Sequence, residues 1–314
     1  MFRRDAYTAA RMTLALALAL ALALAASGCG RGDGTRPPAS LPEATAALPS
    51  VVVSETAPQP ANPSERLPSP LPGRHEEEDG LGAPPSDNAV KSWYYTPNDR
   101  HLPPAVPSSA KTLLDRYRGR YLGPDPKLVY LTFDAGYENG QTARILDALA
   151  RNGVHATFFV TESYVRANPE LVRRMVREGH VVGNHSATHP SMPSLADDPD
   201  AFARELTRVE SAFFEVTGAR LARVFRPPKG EYSALSLYRT AALGYESVFW
   251  SFAHRDWVTD DQPPVETTVR RILDGSHPGA IYLLHAVSSS NADALDDAIA
   301  GLRKQGYGFG TLGR

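Results

Sequence analysis

Lys127-Leu-Val-Tyr-Leu-Thr-Phe-Asp-Ala-Gly-Tyr-Glu-Asn-Gly140 is the stretch whose reading decides the fold. Its first part, residues 128–133, is an apolar run rich in Val, Tyr and Thr, the composition of a buried strand. The run stops on a carboxylate, Asp134, followed by Ala135 and Gly136. In α/β proteins chemistry gathers at the carboxyl ends of strands, where loops meet over the sheet or barrel. Asp134 therefore stands where a catalytic acid or base would stand. The plain alternative is an Asp that only starts a turn, and the rest of the chain decides between the two.

Downstream the pattern alternates. Strand-like runs recur at residues 156–160, 180–184, 223–226, 247–251, 280–284 and, more weakly, 307–311. Helical patterns fill the gaps at 141–151, 169–178, 199–217, 234–243, 265–273 and 292–304. Several end on stop signals such as Asn152-Gly153, Glu178-Gly179, Thr217-Gly218 and Leu243-Gly244. This alternation predicts an α/β fold with a parallel sheet, and seven strands with intervening helices suit a distorted (β/α)7 barrel.

Other strand ends carry chemistry as well. His185-Ser-Ala-Thr-His189 follows the third run; two His four apart on a helical turn share one face and can hold a metal. Phe225-Arg-Pro-Pro-Lys-Gly230 offers a fixed charge at Arg226, a backbone locked by two prolines, and a glycine that frees it again. Such a turn can aim an amide N–H at a developing oxyanion. In Phe249-Trp-Ser-Phe-Ala-His-Arg-Asp-Trp257, Asp256 can orient and charge-stabilise a histidine and Trp257 can wall a sugar site. Ile281-Tyr-Leu-Leu-His285 ends on a candidate general acid, because histidine titrates near neutrality and a carboxylate partner keeps it protonated. Each motif alone has a structural explanation, but their joint occurrence at successive strand ends points to an active site. His75, His101, His155, His180, His254 and His277 lack such support and read as solvated, packing or turn residues.

The N-terminal third differs in kind. Arg3, Arg4 and Arg11 precede a Leu/Ala run over 12–26, followed by Ala26-Ser-Gly-Cys29. Residues 1–28 read as a secretory signal peptide, and the Cys placement resembles a bacterial lipoprotein signal in which Cys29 is lipidated. Residues 29–88 hold many of the chain's 27 prolines and almost no aromatic side chains. They read as a disordered, Pro-rich tether. Order is expected near Val90, with residues 89–126 as a lead anchored on the barrel by Trp93, Tyr94, Tyr95, Leu113, Tyr117 and Tyr121, and residues 127–314 as the catalytic domain. The single Cys excludes an internal disulfide and a thiolate metal cage, and the net charge of -2 gives no case for nucleic acid as partner.

The order Thr-Phe-Asp, His-Ser-x-x-His, Arg-Pro-Pro, Arg-Asp-Trp, Leu-Leu-His resembles the polysaccharide deacetylases, the NodB-homology group or carbohydrate esterase family four. The match runs from about Lys127 to Leu312. Phe133-Asp-Ala-Gly-Tyr-Glu-Asn-Gly140, Arg226-Pro-Pro-Lys-Gly230, Ser251-Phe-Ala-His-Arg-Asp-Trp257 and Leu284-His-Ala-Val-Ser-Ser-Ser-Asn-Ala-Asp-Ala-Leu295 are similar to the subfamily that deacetylates peptidoglycan N-acetylmuramic acid on the way to muramic-δ-lactam in spore cortex. The resemblance implies a NodB-type barrel. It implies Asp134 as catalytic base, Arg226 as its charge partner, His285 as acid tuned by Asp256, and His185 and His189 as ligands of a divalent metal, Zn2+ first and Mn2+, Co2+ or Mg2+ otherwise. It also implies substrate-binding roles for Trp257, Tyr137, Asn139, Lys229 and Leu283.

In one respect the chain departs from the general family. Most members carry a second Asp in the first motif as a metal ligand, and Ala135 stands there instead. The expected function is removal of N-acetyl groups from peptidoglycan strands by a monomer, lipid-anchored to a bacterial membrane outside the cytoplasm. The alternatives are a deacetylase of another GlcNAc-type polymer, a xylan O-acetyl esterase, and a glycan-binding pseudoenzyme.

Overall fold

The structure is a computed structural model and describes residues 80–313. In chain order the elements are β1 (Lys91–Ser92), α1 (Ser108–Arg116), β2 (Gly119–Arg120), β3 (Leu128–Ala135), α2 (Thr142–Arg151), β4 (Thr157–Val160), α3 (Glu162–Ala167), α4 (Pro169–Arg177) and β5 (Val181–Asn184). There follow α5 (Pro199–Thr217), β6 (Val224–Phe225), β7 (Glu231–Tyr232), α6 (Ala234–Ala242), β8 (Glu246–Val248), β9 (Phe252–Ala253), α7 (Val265–Asp274), β10 (Ile281–His285), α8 (Ser289–Lys304) and β11 (Gly308–Gly310).

The main sheet runs β2-β8-β6-β5-β4-β3-β10-β9, and β11 pairs with the first residues of β3. Its ladders are parallel, as strand–helix alternation requires. The seven expected strands are β3, β4, β5, β6, β8, β10 and β11. The barrel is open: among the described residues no ladder joins β2 to β9. Instead a bridge from Leu122 to Ala280, and the Gly123 amide donating to Gly279 O at 2.8 Å, cross the gap near the start of β10. Gly123 is required there, because a Cβ would lie 1.9 Å from the Tyr130 ring.

Strand alternation sorts the core into two layers. On β3, Val129, Leu131 and Phe133 join the cluster under the helices, with Ile145 and Leu149 of α2 and Ile299 and Leu302 of α8. The intervening Tyr130 packs inside the curl with Phe159, Val224, Val248 and Ile281. Each large apolar side chain so buried stabilises by roughly 1.5–3 kcal/mol. Asp134 falls on the inner face, at the end of this register.

The 247–251 strand expected from sequence divides. β8 ends at Val248 beside β6, and β9 resumes at Phe252 beside β10. The switch is stapled at Ser251, whose amide donates to Ile281 O (3.0 Å) while its hydroxyl accepts from the Ile281 amide (3.1 Å). The lead packs through Trp93, Leu114 and Tyr117 against Phe225, Tyr238 and Phe249, and Trp93 Nε1 donates to Trp250 O at 2.9 Å. Packing begins earlier than Val90. Leu81 is buried, and the Asn88 amide donates to Pro193 O and Asp197 Oδ2. A disordered tether reaching residue 88 is therefore corrected at its domain end. Residues 29–79, Cys29 among them, and the signal segment 1–28 lie outside the described residues.

Candidate active site

The register of β3 against β10 places Asp134 and His285 as neighbours at the carboxyl end of the sheet. Arg226, the residue after β6, reaches across: its Nη1 donates to Asp134 Oδ1 at 2.7 Å, and its guanidinium lies 4.2 Å over the Phe159 ring. Arg226 is wholly buried and Asp134 is 7% exposed. Burial alone would raise the Asp134 pKa. The charge of Arg226, its hydrogen bond to the carboxylate and the charge of His285 outweigh it and hold the carboxyl below the usual range. The base candidate is thus anionic at neutral pH.

His185 and His189 come together with ring centroids 4.8 Å apart, though not on a helical turn. Ser186 (φ 65) and His189 (φ 58) sit in the left-handed region, so the expected one-face helical spacing is corrected to a bent loop. Four hydrogen bonds hold the bend. Asn184 Oδ1 accepts from the Ser186 amide (2.9 Å), Ser186 Oγ accepts from the His189 amide (3.0 Å), and the Glu205 carboxylate accepts from the Thr188 amide and hydroxyl (2.8 and 2.9 Å). Asn184 and Glu205 are thus positioning residues that sequence reasoning passed over; only the Asn directly before the first His was a usable signal.

The donor set suits a cation. His185 Nδ1 lies 2.8 Å from Arg226 O, and a carbonyl only accepts, so Nδ1 carries the hydrogen and Nε2 keeps its lone pair. That Nε2 is 3.5 Å from Asp134 Oδ2. Burial pushes the His185 pKa down to about 4, against the pull of Asp134, so the ring is neutral at pH 7. A lone pair facing a carboxylate oxygen is repulsive unless a cation lies between or beside them. No cluster of three or more His, Cys, Asp or Glu placed to hold a metal occurs among the described residues. The fit is to two imidazoles with Asp134 alongside, and Ala135, fully buried, adds no ligand atom.

The acid side is equally specific. His285 Nδ1 is 2.7 Å from Asp256 Oδ1, and the His285 amide donates to Oδ2 at 2.9 Å. Burial disfavours the imidazolium, but the hydrogen bond and charge of Asp256 and the charge of Asp134 prevail, and the pKa is raised. Trp257, 50% exposed, stands with its ring 5.5 Å from the His285 ring.

The remaining expected residues divide. Tyr137 is 55% exposed in the loop after β3, and Leu283 lies two residues before His285, on the same face of β10. Lys229 is exposed and left-handed (φ 61), in the turn directly after Arg226-Pro-Pro. Gly230 (φ 67) accepts from the Trp93 amide at 2.8 Å, and a Cβ there would lie 2.7 Å from Trp250. The lead therefore braces this turn from behind. Asn139 is exposed, and its side-chain amide donates to Val287 O at 3.2 Å, tying the Tyr137 loop to the segment after β10. His254, set aside from sequence, reaches the site through Asp256, with Nε2 3.6 Å from Oδ2.

The polysaccharide deacetylase profile matches residues 122–248. Over 226 residues the chain is 42% identical to peptidoglycan-N-acetylmuramic acid deacetylase PdaA of Bacillus subtilis, covering 72% of this chain and 85% of that protein. The structure of PdaA, described as a family 4 carbohydrate esterase, has a TM-score of 0.69 and covers 72% of this chain and 96% of that one. A family 4 carbohydrate esterase from Bacillus anthracis, 38% identical, gives a TM-score of 0.60 over 72% of this chain and 95% of its own. An uncharacterised 30.6 kDa protein of Geobacillus stearothermophilus is 46% identical over 221 residues, 70% of this chain and 83% of that protein. The curled parallel sheet, the strand-end site and these matches agree, and the chain belongs to the polysaccharide deacetylase family, with its NodB-type (β/α) barrel fold.

Proposed function

We propose that the chain hydrolyses the acetamide of peptidoglycan amino sugars, with N-acetylmuramic acid as the target and a divalent cation as cofactor, releasing acetate and a free amine. One observation carries the reading. Asp134 and His285 stand side by side, the carboxyl with its pKa lowered and the imidazole with its pKa raised, the opposite shifts that suit a base and an acid acting on one amide. The likeness to PdaA, whose name states that substrate, supports the choice of sugar.

His185 and His189 would hold the divalent cation, which would supply Lewis acidity to the attacking water and the acetyl carbonyl. Asp134 takes the proton of that water. Arg226 keeps Asp134 ionised and fixes its plane through the 2.7 Å hydrogen bond. The Lys229 amide is the donor available to the tetrahedral oxyanion, and such a donor contributes about 10²–10³ in rate. His285, its Nδ1 engaged by Asp256, gives the proton on Nε2 to the departing nitrogen. Trp257 and Tyr137 offer exposed aromatic faces to the sugar rings.

The test is acetate release from defined peptidoglycan fragments, peptide-free and peptide-bearing, with Zn2+, Mn2+, Co2+ or Mg2+ returned singly to chelated protein. Release from muramic acid positions with at least one metal is expected. Glycan retention without acetate release under every metal would favour a binding protein instead. The N-terminal Ala26-Ser-Gly-Cys29 motivates the further proposal that Cys29 carries lipid and anchors the enzyme outside the cytoplasm, at the cell envelope. Incorporation of labelled fatty acid is expected in the full chain and not in Cys29→Ser; equal labelling of both would remove the anchor.

A further inference from the structure

We propose that Asn291 is a positioning residue for the acid step, holding Asp256 toward His285 and withholding it from a second histidine, His254. The inference rests on the deacetylase reading for its rate consequences, and on side-chain geometry alone for the arrangement itself.

Asp256 is wholly buried. Its Oδ1 takes the His285 ring, and its Oδ2 takes the His285 amide at 2.9 Å and Asn291 Nδ2 at 2.6 Å. A carboxylate only accepts, so the NH2 of Asn291 must face it, and Asn291 Oδ1 must face the other way. There it lies 3.2 Å from His254 Nε2. An amide oxygen only accepts, so His254 Nε2 carries the hydrogen and Nδ1 is bare. That Nδ1 is buried with no partner among the described residues. His254 Nε2 is also 3.6 Å from Asp256 Oδ2, so a small movement would give the same carboxylate a second imidazole.

The fold places Asn291 for this. Ser288 caps α8, its hydroxyl accepting from the Asn291 amide at 3.0 Å, which sets Asn291 in the first turn directly under Asp256. Gln262 ties the two segments, donating to Asp256 O at 2.6 Å and accepting from Ser288 Oγ at 2.6 Å. Asn291 is 1% exposed and reaches no solvent-facing site. The charged and titratable groups facing His285 are Asp256, Asp134 and Arg226, with His189 and His254 nearby; those facing His254 are Asp256, His285 and Arg271 of α7. With Asn291 in place, both Asp256 oxygens are hydrogen-bonded to His285 or Asn291, and His254 feels the carboxylate only from 3.6 Å.

Removing the amide frees Oδ2 for His254, divides the carboxylate between two rings, and weakens its hold on the His285 proton. Asn291→Ala is expected to lower kcat about tenfold with KM within about twofold, and to move the alkaline limb of kcat down by about one pH unit. Adding His254→Gln to that variant is expected to return the limb toward its wild-type position. A limb unmoved in the single variant, or equally displaced in the double, would overturn the proposal. Imidazole 15N shifts of the wild-type chain give an answer that depends on neither folding of the variants nor activity. His254 is expected as the neutral Nε2–H tautomer between pH 7 and 8, and an Nδ1–H or imidazolium His254 in that range would overturn the proposal. Absence of activity on every glycan would sink the deacetylase reading and leave the 15N result standing.

Discussion

Replacing His285 by alanine lowers turnover by about 10²–10⁴-fold, the range for a positioned proton donor, while circular dichroism and the unfolding midpoint stay near wild type. The group is partly open at the mouth of the site, and no core side chain is lost with it. The wild-type pH profile carries the same information. Because the His285 pKa is raised, the acid form persists above the ordinary histidine value of about 6.5, and the alkaline limb of kcat is expected above that pH. The sign for stability follows. A raised folded pKa contributes stability that is complete below the unfolded value and fades as pH rises through the folded one. Asp256→Asn reverses the balance: burial is then opposed by far less charge, and the limb moves to lower pH. A His285→Ala enzyme within a few-fold of wild-type turnover would remove His285 from the mechanism.

The reach of sequence reasoning can be judged residue by residue. Asp134, Arg226, Asp256 and His285 were legible because each directly ends or follows an apolar run, and strand ends in a parallel sheet converge on one rim. The pairing of His285 with Asp134 was not legible, since it depends on β10 lying beside β3 across 150 residues of sequence. In the His-Ser-Ala-Thr-His segment the spacing predicts a helical turn, and the backbone is a bend that still brings the two rings together. Nothing in its spacing separates a helical turn from a bend with two left-handed residues, and the choice is made by tertiary partners Asn184 and Glu205. β2, β7 and β9 have two residues each, too few for a period to register, and they exist because neighbouring backbone offers partners. α3 has six residues and announces itself only by its cap, with Thr161 accepting from the Tyr164 amide. His254 and Asn291 carry no motif. Their meaning comes from a shared carboxylate that neither local sequence contains.

Asp134→Asn is the change with the widest consequences, because it removes a base and unpairs a buried cation together. Turnover is expected to fall by about 10²–10⁴-fold, since an amide oxygen cannot take the proton of the attacking water. Stability falls too. Arg226 is wholly buried and donates to Asp134, and breaking a buried pair from one side costs about 3–5 kcal/mol because the remaining charge has no counter-ion. A domain of ordinary stability, about 5–15 kcal/mol, survives that loss and shows it as a lowered unfolding midpoint. Asp134→Asn with Arg226→Met separates the two effects: the second change removes the stranded charge and recovers midpoint, and acetate release stays lost. The same pair fixes the acid side of the pH dependence. With the Asp134 pKa held below its ordinary value of about 3.9, its contribution to stability is present above that pH and disappears as pH falls through the folded value. Loss of activity on acidification above about pH 5 would have to come from another group, since His285 is protonated there and Asp134 is not. If the double variant released acetate at the wild-type rate, the base would have to lie elsewhere, and the pairing of Asp134 with Arg226 would be a feature of the fold alone.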